Sequence, residues 1–293
     1  MKFNLDSYIE IGKTHEVCED YATHGTIMGI PYIIVSDGCS SSEDTDVGSR
    51  LLTYACRNAL MEIINQNLLE DLDIIALRTH LKEQILFNLR LSLKALSLHT
   101  SVADATLLVA FVWEGKTYYF MYGDGHIILK WKDDSSGVSK DVVKISYADN
   151  APPYLSYNLD IRRKEGYREQ FGSGMVNETF KWYDEPGPIS VNEFLSIYDG
   201  CISGVVESDK LQSITLSSDG IESYMFGKDA PVRAEDRINA TFEHIWQDEY
   251  TNYKSTSGEF VKRRMKRIKL NNEKSHIEHY DDVSCATIWI NHE

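Results

Sequence analysis

Acidic residues in this sequence sit where they could do chemistry. Asp37-Gly38, Asp124-Gly125 and Asp219-Gly220 each close an apolar run that reads as a strand. Glu19-Asp20 stands ahead of the run IPYIIV, and Asp281-Asp282 ahead of VSCATIWI. One Asp-Gly alone is a turn signal, because Asp bonds its own backbone and Gly accepts positive φ. Several at strand ends imply more if the strands are neighbours, because the carboxylates then converge. Two like charges roughly 4 Å apart repel by about 4 kcal/mol at an effective dielectric of about 20. Such a cluster must take up protons or bind cations.

Oxygen ligands with no converging His or Cys suit hard divalent ions, Mg²⁺ or Mn²⁺. A calcium EF-hand does not fit, because CSSSEDTD misses that loop's spacing and its central Gly. Glu19, Asp37, Asp219 and Asp281 carry four negative charges, which two divalent ions cancel. A phosphate monoester bears about −1.5 to −2 at neutral pH and could approach the neutralised site, but not the bare acids. Two metals about 3.5–4 Å apart can share a water, lower its pKa and align it for in-line attack on phosphorus. An aspartyl-nucleophile phosphatase fits poorly: it needs a second Asp two residues after the first, where this chain has Cys39. A P-loop, G-x-x-x-x-G-K-[ST], is absent.

The elements that must position these acids are legible in outline. IPYIIV (30–35) reads as a strand, and ATLLVAFVW-EGK-TYYFMY as a hairpin with Gly115 in its turn. HIILKW (126–131) could extend the hairpin into a meander. VNEFLSIY, LQSITLSS and VSCATIWI are further strands. Val47, Leu51, Ala55, Ala59 and Ile63 mark a first helix, capped by Thr45 or Asp46. Leu77, Leu81, Ile85, Leu89, Leu93 and Leu96 mark a second, capped by Asp73. A third helix is expected after Pro231, and a fourth over EFVKRRMKRIKL with Val261, Met265 and Ile268 inward. Residues 150–187 lack clear periodicity and read as an irregular flap within a single domain of residues 1–293. Clustered hairpins with grouped helices indicate an α+β layered domain.

Composition narrows the partners. The chain has 293 residues with 30 Lys plus Arg against 45 Asp plus Glu, a net charge of −15. Nucleic acid is therefore not an expected partner. The longest apolar stretch, ATLLVAFVW, is too short to span a bilayer, so no membrane is expected either. The N-terminus lacks the apolar core of a signal peptide. The five cysteines are scattered and include no C-x-x-C, so the expected location is a reducing cytoplasm.

The ordered set CEDY, IIVSDG, DATLLVAF, YGDG, TLSSDGIES and HYDDVSCATIWI resembles the metal-dependent protein phosphatases of type 2C, the PPM family, and more specifically a divergent, bacterial branch. The likeness runs from about His15 to Ile290. It implies a four-layer α-β-β-α sandwich of two antiparallel sheets flanked by helices. It also implies two Mn²⁺ or Mg²⁺ ions and hydrolysis of phosphoserine or phosphothreonine. By position, Asp37 would bridge the metals and the Gly38 carbonyl would coordinate one. Glu19 would serve one metal through water, and Asp219 and Asp281 would hold the other. Asp20 would orient metal-bound water, and Asp124 matches a residue that helps bind a third, weaker metal. The implied partners are a phosphorylated protein and a cognate serine/threonine kinase, and the protein is expected to act as a monomer.

Some positions depart from that pattern. His15 stands where the family usually has a phosphate-gripping Arg; it can donate to phosphate but lacks the bidentate fork. Cys39 and three serines replace the usual His or Met and glycines, and Cys39 is read as a packing residue. Ser223 stands where an Asp often serves the third metal, with Glu222 beside it pointing elsewhere, so a third ion is doubtful. Asp282 replaces a frequent Asn. Arg162, Arg163, Lys164 and Arg168 of the flap are read as a solvated hairpin, with docking of an acidic or phosphorylated partner as the alternative. These departures keep a second function open: a pseudophosphatase that binds or senses phosphoproteins without turnover.

Overall fold

The computed structural model describes residues 1–132, 138–147, 151–171, 175–183, 188–194, 201–228 and 250–292. The helix expected after Pro231, the GSG at 172–174 and the end of VNEFLSIY lie outside them.

Two antiparallel sheets form the centre. In the five-stranded sheet the order is β10 (Cys201–Glu207), β5 (Lys116–Tyr122), β4 (Leu107–Trp113), β3 (Ile30–Ser36) and β2 (Tyr21–Ile27). The seven-stranded sheet runs β1 (Lys2–Glu10), β14 (Val283–Asn291), β11 (Leu211–Ser217), β6 (His126–Trp131), β7 (Val138–Tyr147), β8 (Met175–Tyr183) and β9 (Pro188–Phe194). A small ladder pairs β12 (Tyr224–Phe226) with β13 (Ile277–His279).

The alternating side chains of each strand assign the layers. Ile33, Val35, Leu108, Ala110 and Met121 of one sheet meet Ile127, Ile214, Leu216, Ala286 and Ile288 of the other. On the outer face of the five-stranded sheet, Ile34, Val109, Phe111 and Phe120 pack on Leu52, Cys56, Ala59, Leu81, Ile85 and Leu89. Those six belong to α1 (Thr45–Asn65) and α3 (Ile74–Leu96), which follow each other across the short α2 (Leu68–Asp71). On the outer face of the seven-stranded sheet, Ile128, Val142 and Cys285 take Phe260, Met265 and Ile268 of α5 (Phe260–Lys274). The result is the expected α-β-β-α sandwich, and β3 is apolar from Ile33 to Val35 because it is covered on both faces. Among the described residues no helix is long and apolar enough to cross a membrane.

Several local expectations change. The β4–β5 hairpin turns through Glu114 and Gly115, both at positive φ as a two-residue turn requires. β6 does not extend it into a meander; it crosses to the other sheet and pairs with β11 and β7. Gly123 and Gly125, at φ 89° and 120°, make that crossing possible within the few residues around Asp124. Neither Thr45 nor Asp46 caps α1: Asp44 stands there at φ 56°, with no side-chain cap. Asp73 does cap α3, accepting from the backbone N–H groups of Ile75 and Ala76. At the stripe ends, Val47 and Leu96 are exposed. Val261, Met265 and Ile268 face inward as expected.

The stretch read as an irregular flap carries regular elements after an irregular start at 151–154. It holds a 3₁₀ turn (Leu155–Leu159), α4 (Ile161–Phe171) and β8. Its Arg cluster lies on α4 instead of a solvated hairpin, and Arg163 turns inward to buried Asp104. Polar anchoring replaced the apolar period that would have marked the helix.

Candidate metal centre

The acids arrive at one edge of the sandwich from five chain segments. Asp37 follows β3 and continues its ladder: its N–H donates to Thr106 Oγ1 (3.1 Å), and its carbonyl accepts from Thr106 N (2.8 Å). Asp124 sits in the crossing between β5 and β6. Asp219 opens the 3₁₀ turn after β11, Asp281-Asp282 leads into β14, and Glu19-Asp20 leads into β2. Gly38 is needed for close approach, since a Cβ there would fall 2.8 Å from the Glu19 carbonyl oxygen and 2.9 Å from that of Thr45.

Asp37, Gly38, Asp124, Asp219, Asp281 and His15 line a cavity of about 240 Å³, with Cys39, Ser40, Ser41, Thr106, Pro152 and Tyr154 completing its wall. Asp20 lies outside the lining, 1% exposed, and among the described residues neither of its carboxylate oxygens meets a partner in hydrogen-bond geometry. Glu19 is also outside the lining; its Oε1 accepts from the Thr45 hydroxyl (2.8 Å) at the start of α1. Cys39 does not pack into the core but stands half-exposed on the cavity wall, against the sequence reading.

The electrostatics follow from crowding. Burial is the largest influence raising the Asp37 pKa well above the ordinary carboxylate value, and the charges of Asp20 and Asp219 add to it. Burial likewise raises Asp20, despite opposing contributions from the Ser284 and Ser218 hydroxyls and from Asp37. Asp124 is raised by burial and by Asp219, with Lys144 offsetting part of the effect. Asp281 is raised by burial and then by Asp219. Each shift says that the ionised form lacks an adequate counter-charge.

His15 is the cavity's basic side chain. Its Nδ1 stands 3.0 Å from Asp282 Oδ2, close enough for an ion pair although turned off the hydrogen-bond line, and its Nε2 lies 3.4 Å from Asp281 Oδ1. Burial pulls its pKa down, but Asp282, then Asp281 and Glu19, raise it overall. Asp282, 2% exposed, also accepts from Gly12 N (2.7 Å) and Glu19 N (2.6 Å), so one carboxylate ties His15 to the loop that carries Glu19.

The two departures at the 3₁₀ turn have definite roles. Ser223 Oγ accepts from the N–H groups of Tyr280 (3.2 Å) and Asp281 (3.1 Å), fixing the backbone of the acidic pair. Glu222 points away from the cavity to His126 (2.7 Å) and to Lys144.

Sequence reasoning missed Thr45, Asp104 and Tyr154. Asp104 belongs to the quoted DATLLVAF stretch, and its place just before a buried strand was the available signal. Nothing in the sequence pointed Tyr154 at the acids.

The donor set suits a divalent cation. The acids offer only oxygen, among the described residues Asp20 leaves two buried oxygens without a partner in hydrogen-bond geometry, and the raised pKa values mark missing positive charge. Among the described residues no three His, Cys, Asp or Glu side chains already form a coordinating group. The acids face a shared space without closing a cage.

The family model described as "Protein phosphatase 2C" matches residues 12–267. No curated protein matches the sequence. Among solved structures, a bacterial serine phosphatase is 13% identical, with a TM-score of 0.54, covering 100% of this chain and 99% of its own. The serine/threonine phosphatase Stp1 from Staphylococcus aureus is 14% identical, with a TM-score of 0.50, covering 100% and 96%. A serine-threonine phosphatase 2C from Toxoplasma gondii is 13% identical, with a TM-score of 0.52, covering 99% and 95%. At these identities the structural likeness establishes the fold.

Proposed function

Since this chain belongs to the protein phosphatase 2C family, we propose that it hydrolyses phosphoserine and phosphothreonine in proteins, acting as one catalytic unit over residues 1–293. The observation that carries this reading is the convergence of Asp37, Asp124, Asp219 and Asp281 on one cavity, with buried Asp20 next to Asp37. In the proposal, Glu19, Asp37, Asp219, Asp281 and the Gly38 carbonyl hold two Mn²⁺ or Mg²⁺ ions. Bound there, the ions would neutralise phosphate charge and lower the pKa of a shared water.

The chain's own residues do the rest. Asp37 and Asp219 lend their charge at the cavity floor. Asp20, buried next to Asp37, orients the attacking water. His15, kept protonated to higher pH than an ordinary histidine, presents Nε2 to the phosphoryl oxygens while Asp282 holds Nδ1. Thr45 keeps Glu19 turned toward the helix end that borders the site. The partners are then phosphoproteins and the serine/threonine kinase that forms them.

The test is Mn²⁺-dependent release of phosphate from a phosphothreonine peptide by wild type and by Asp37→Asn. Release by wild type alone supports the proposal; no release with any divalent metal sinks it. A second reading, a phosphoprotein-binding pseudophosphatase, is motivated by His15 in place of the family Arg and Ser223 in place of an Asp. It predicts peptide binding by calorimetry without turnover.

A further inference from the structure

A phosphoryl group entering the cavity meets mostly acids. Its basic neighbour there, His15, is already engaged by Asp282 and Asp281. Beside the Ser40, Ser41 and Thr106 side chains on the same wall, Tyr154 is placed to be a further donor.

Tyr154 lines the same cavity as Asp37, Asp124 and Asp219. Burial, the Cys39 thiol and the charges of Asp124 and Asp37 hold its phenol protonated, so it can only donate to an anion. Cys39, which shares the cavity wall, already pairs its thiol with the Ser41 hydroxyl (3.0 Å), and sulfur is a weak acceptor that phosphate oxygen would displace.

Its segment is held firmly. Tyr154 precedes the 3₁₀ turn Leu155–Leu159, whose Leu155 and Ser156 are buried, and it packs edge-on against Tyr157 at 5.6 Å. Asp104, 3% exposed, accepts from Ser156 (2.5 Å), from Arg163, and from Ser42 (2.9 Å). The Asp104 carbonyl accepts from Cys39 N (2.8 Å). One buried carboxylate thus links the Tyr154 segment to the loop that follows Asp37. A donor fixed this way needs no reorganisation when charge develops opposite it.

We propose that the Tyr154 hydroxyl donates a hydrogen bond to a non-bridging oxygen of the substrate phosphoryl group, and that Asp104 is the positioning residue that holds it there. This rests on the phosphatase reading above.

The experiment uses the full chain with Mn²⁺ and compares wild type, Tyr154→Phe, Asp104→Asn and the double variant. Readouts are kcat and KM on a phosphothreonine peptide, inorganic phosphate affinity by calorimetry, Mn²⁺ affinity and Tm. Tyr154→Phe should weaken phosphate binding and kcat/KM by about tenfold, with Mn²⁺ affinity and Tm unchanged. Asp104→Asn should weaken phosphate binding alike, and the double variant no further, because both act through one hydrogen bond. Unchanged phosphate affinity in Tyr154→Phe overturns the assignment, and so does a fall in its Tm or Mn²⁺ affinity. Additive losses overturn the role of Asp104. A wild type that binds phosphate but hydrolyses nothing refutes the phosphatase reading alone, leaving Tyr154 to be judged on affinity. One that binds no phosphate refutes both.

Discussion

Buried acids occur in two settings in this protein, and they titrate in opposite directions. Glu10 accepts from Tyr8 and pairs with Lys269 and His279; these contacts outweigh burial and lower its pKa to about 2. Glu222 pairs with His126 and Lys144, which likewise outweigh burial and bring it to about 2. At the cavity, Asp37 and Asp124 on its wall and Asp20 next to Asp37 are raised by the same burial. The contrast lies in the counter-charge. The fold gives Glu10 and Glu222 their cations from its own chain, whereas the cavity acids repel one another around a space. Buried charge settled by the protein is structural; buried charge left unsettled is where an external cation and its chemistry fit.

That contrast can be broken most directly by removing a cavity charge. Asp37→Asn or Asp219→Asn should cut kcat/KM on a phosphothreonine peptide by about 10²–10³, as measured by phosphate release. Retained activity would mean that the cavity acids are ordinary.

Metal should act on stability with a definite sign. Without metal the cavity acids bind protons more tightly folded than unfolded. Their contribution to the metal-free fold is therefore lost as pH rises above the ordinary Asp value of 3.8. Mn²⁺ at a hundredfold its Kd should add about 2.7 kcal/mol. Scanning calorimetry should show a larger Mn²⁺-induced rise in Tm at pH 8 than at pH 5, because protons compete for the same oxygens.

The paired acids should behave inversely. Glu10 contributes stability fully above its ordinary pKa of 4.5, and loses it as pH falls toward about 2. Glu10→Gln should cost about 1.5–3 kcal/mol in urea denaturation at pH 7, by weakening charged hydrogen bonds. It should leave the Mn²⁺ response unchanged.

The mildest effect is expected at His15, which is part paired and part turned to the cavity. His15→Ala should lower kcat/KM by about tenfold, close to 1.4 kcal/mol. Rates and phosphate affinity equal to wild type would remove His15 from the substrate's surroundings.

How far the sequence disclosed all this depended on the kind of signal. Apolar period marked α1, α3, α5 and the buried face of β3, because those elements bury an unbroken stripe. β1 and β2 escaped notice, since buried Asp6 and Glu10 and the polar THGT stretch interrupt their alternation. Asp6 is buried for a reason that period cannot reveal: its carboxylate accepts from Lys262 N in the first turn of α5. The acids were legible as strand-end residues. Their supports, Thr45, Asp104, Asp282 and Ser223, act across long separations that no local pattern encodes.

The crossing from β5 to β6 joins two layers whose separation in packed sheets is about 10 Å. Asp124 rides the middle of that short bridge, so its height is gauged by the thickness of the core. Swelling the interior, for instance with Ala110→Leu between the sheets, would stretch the bridge and shift the carboxylate although no atom near it had changed. The hydrocarbon filling thereby helps set the dimensions of the acidic hollow at the rim.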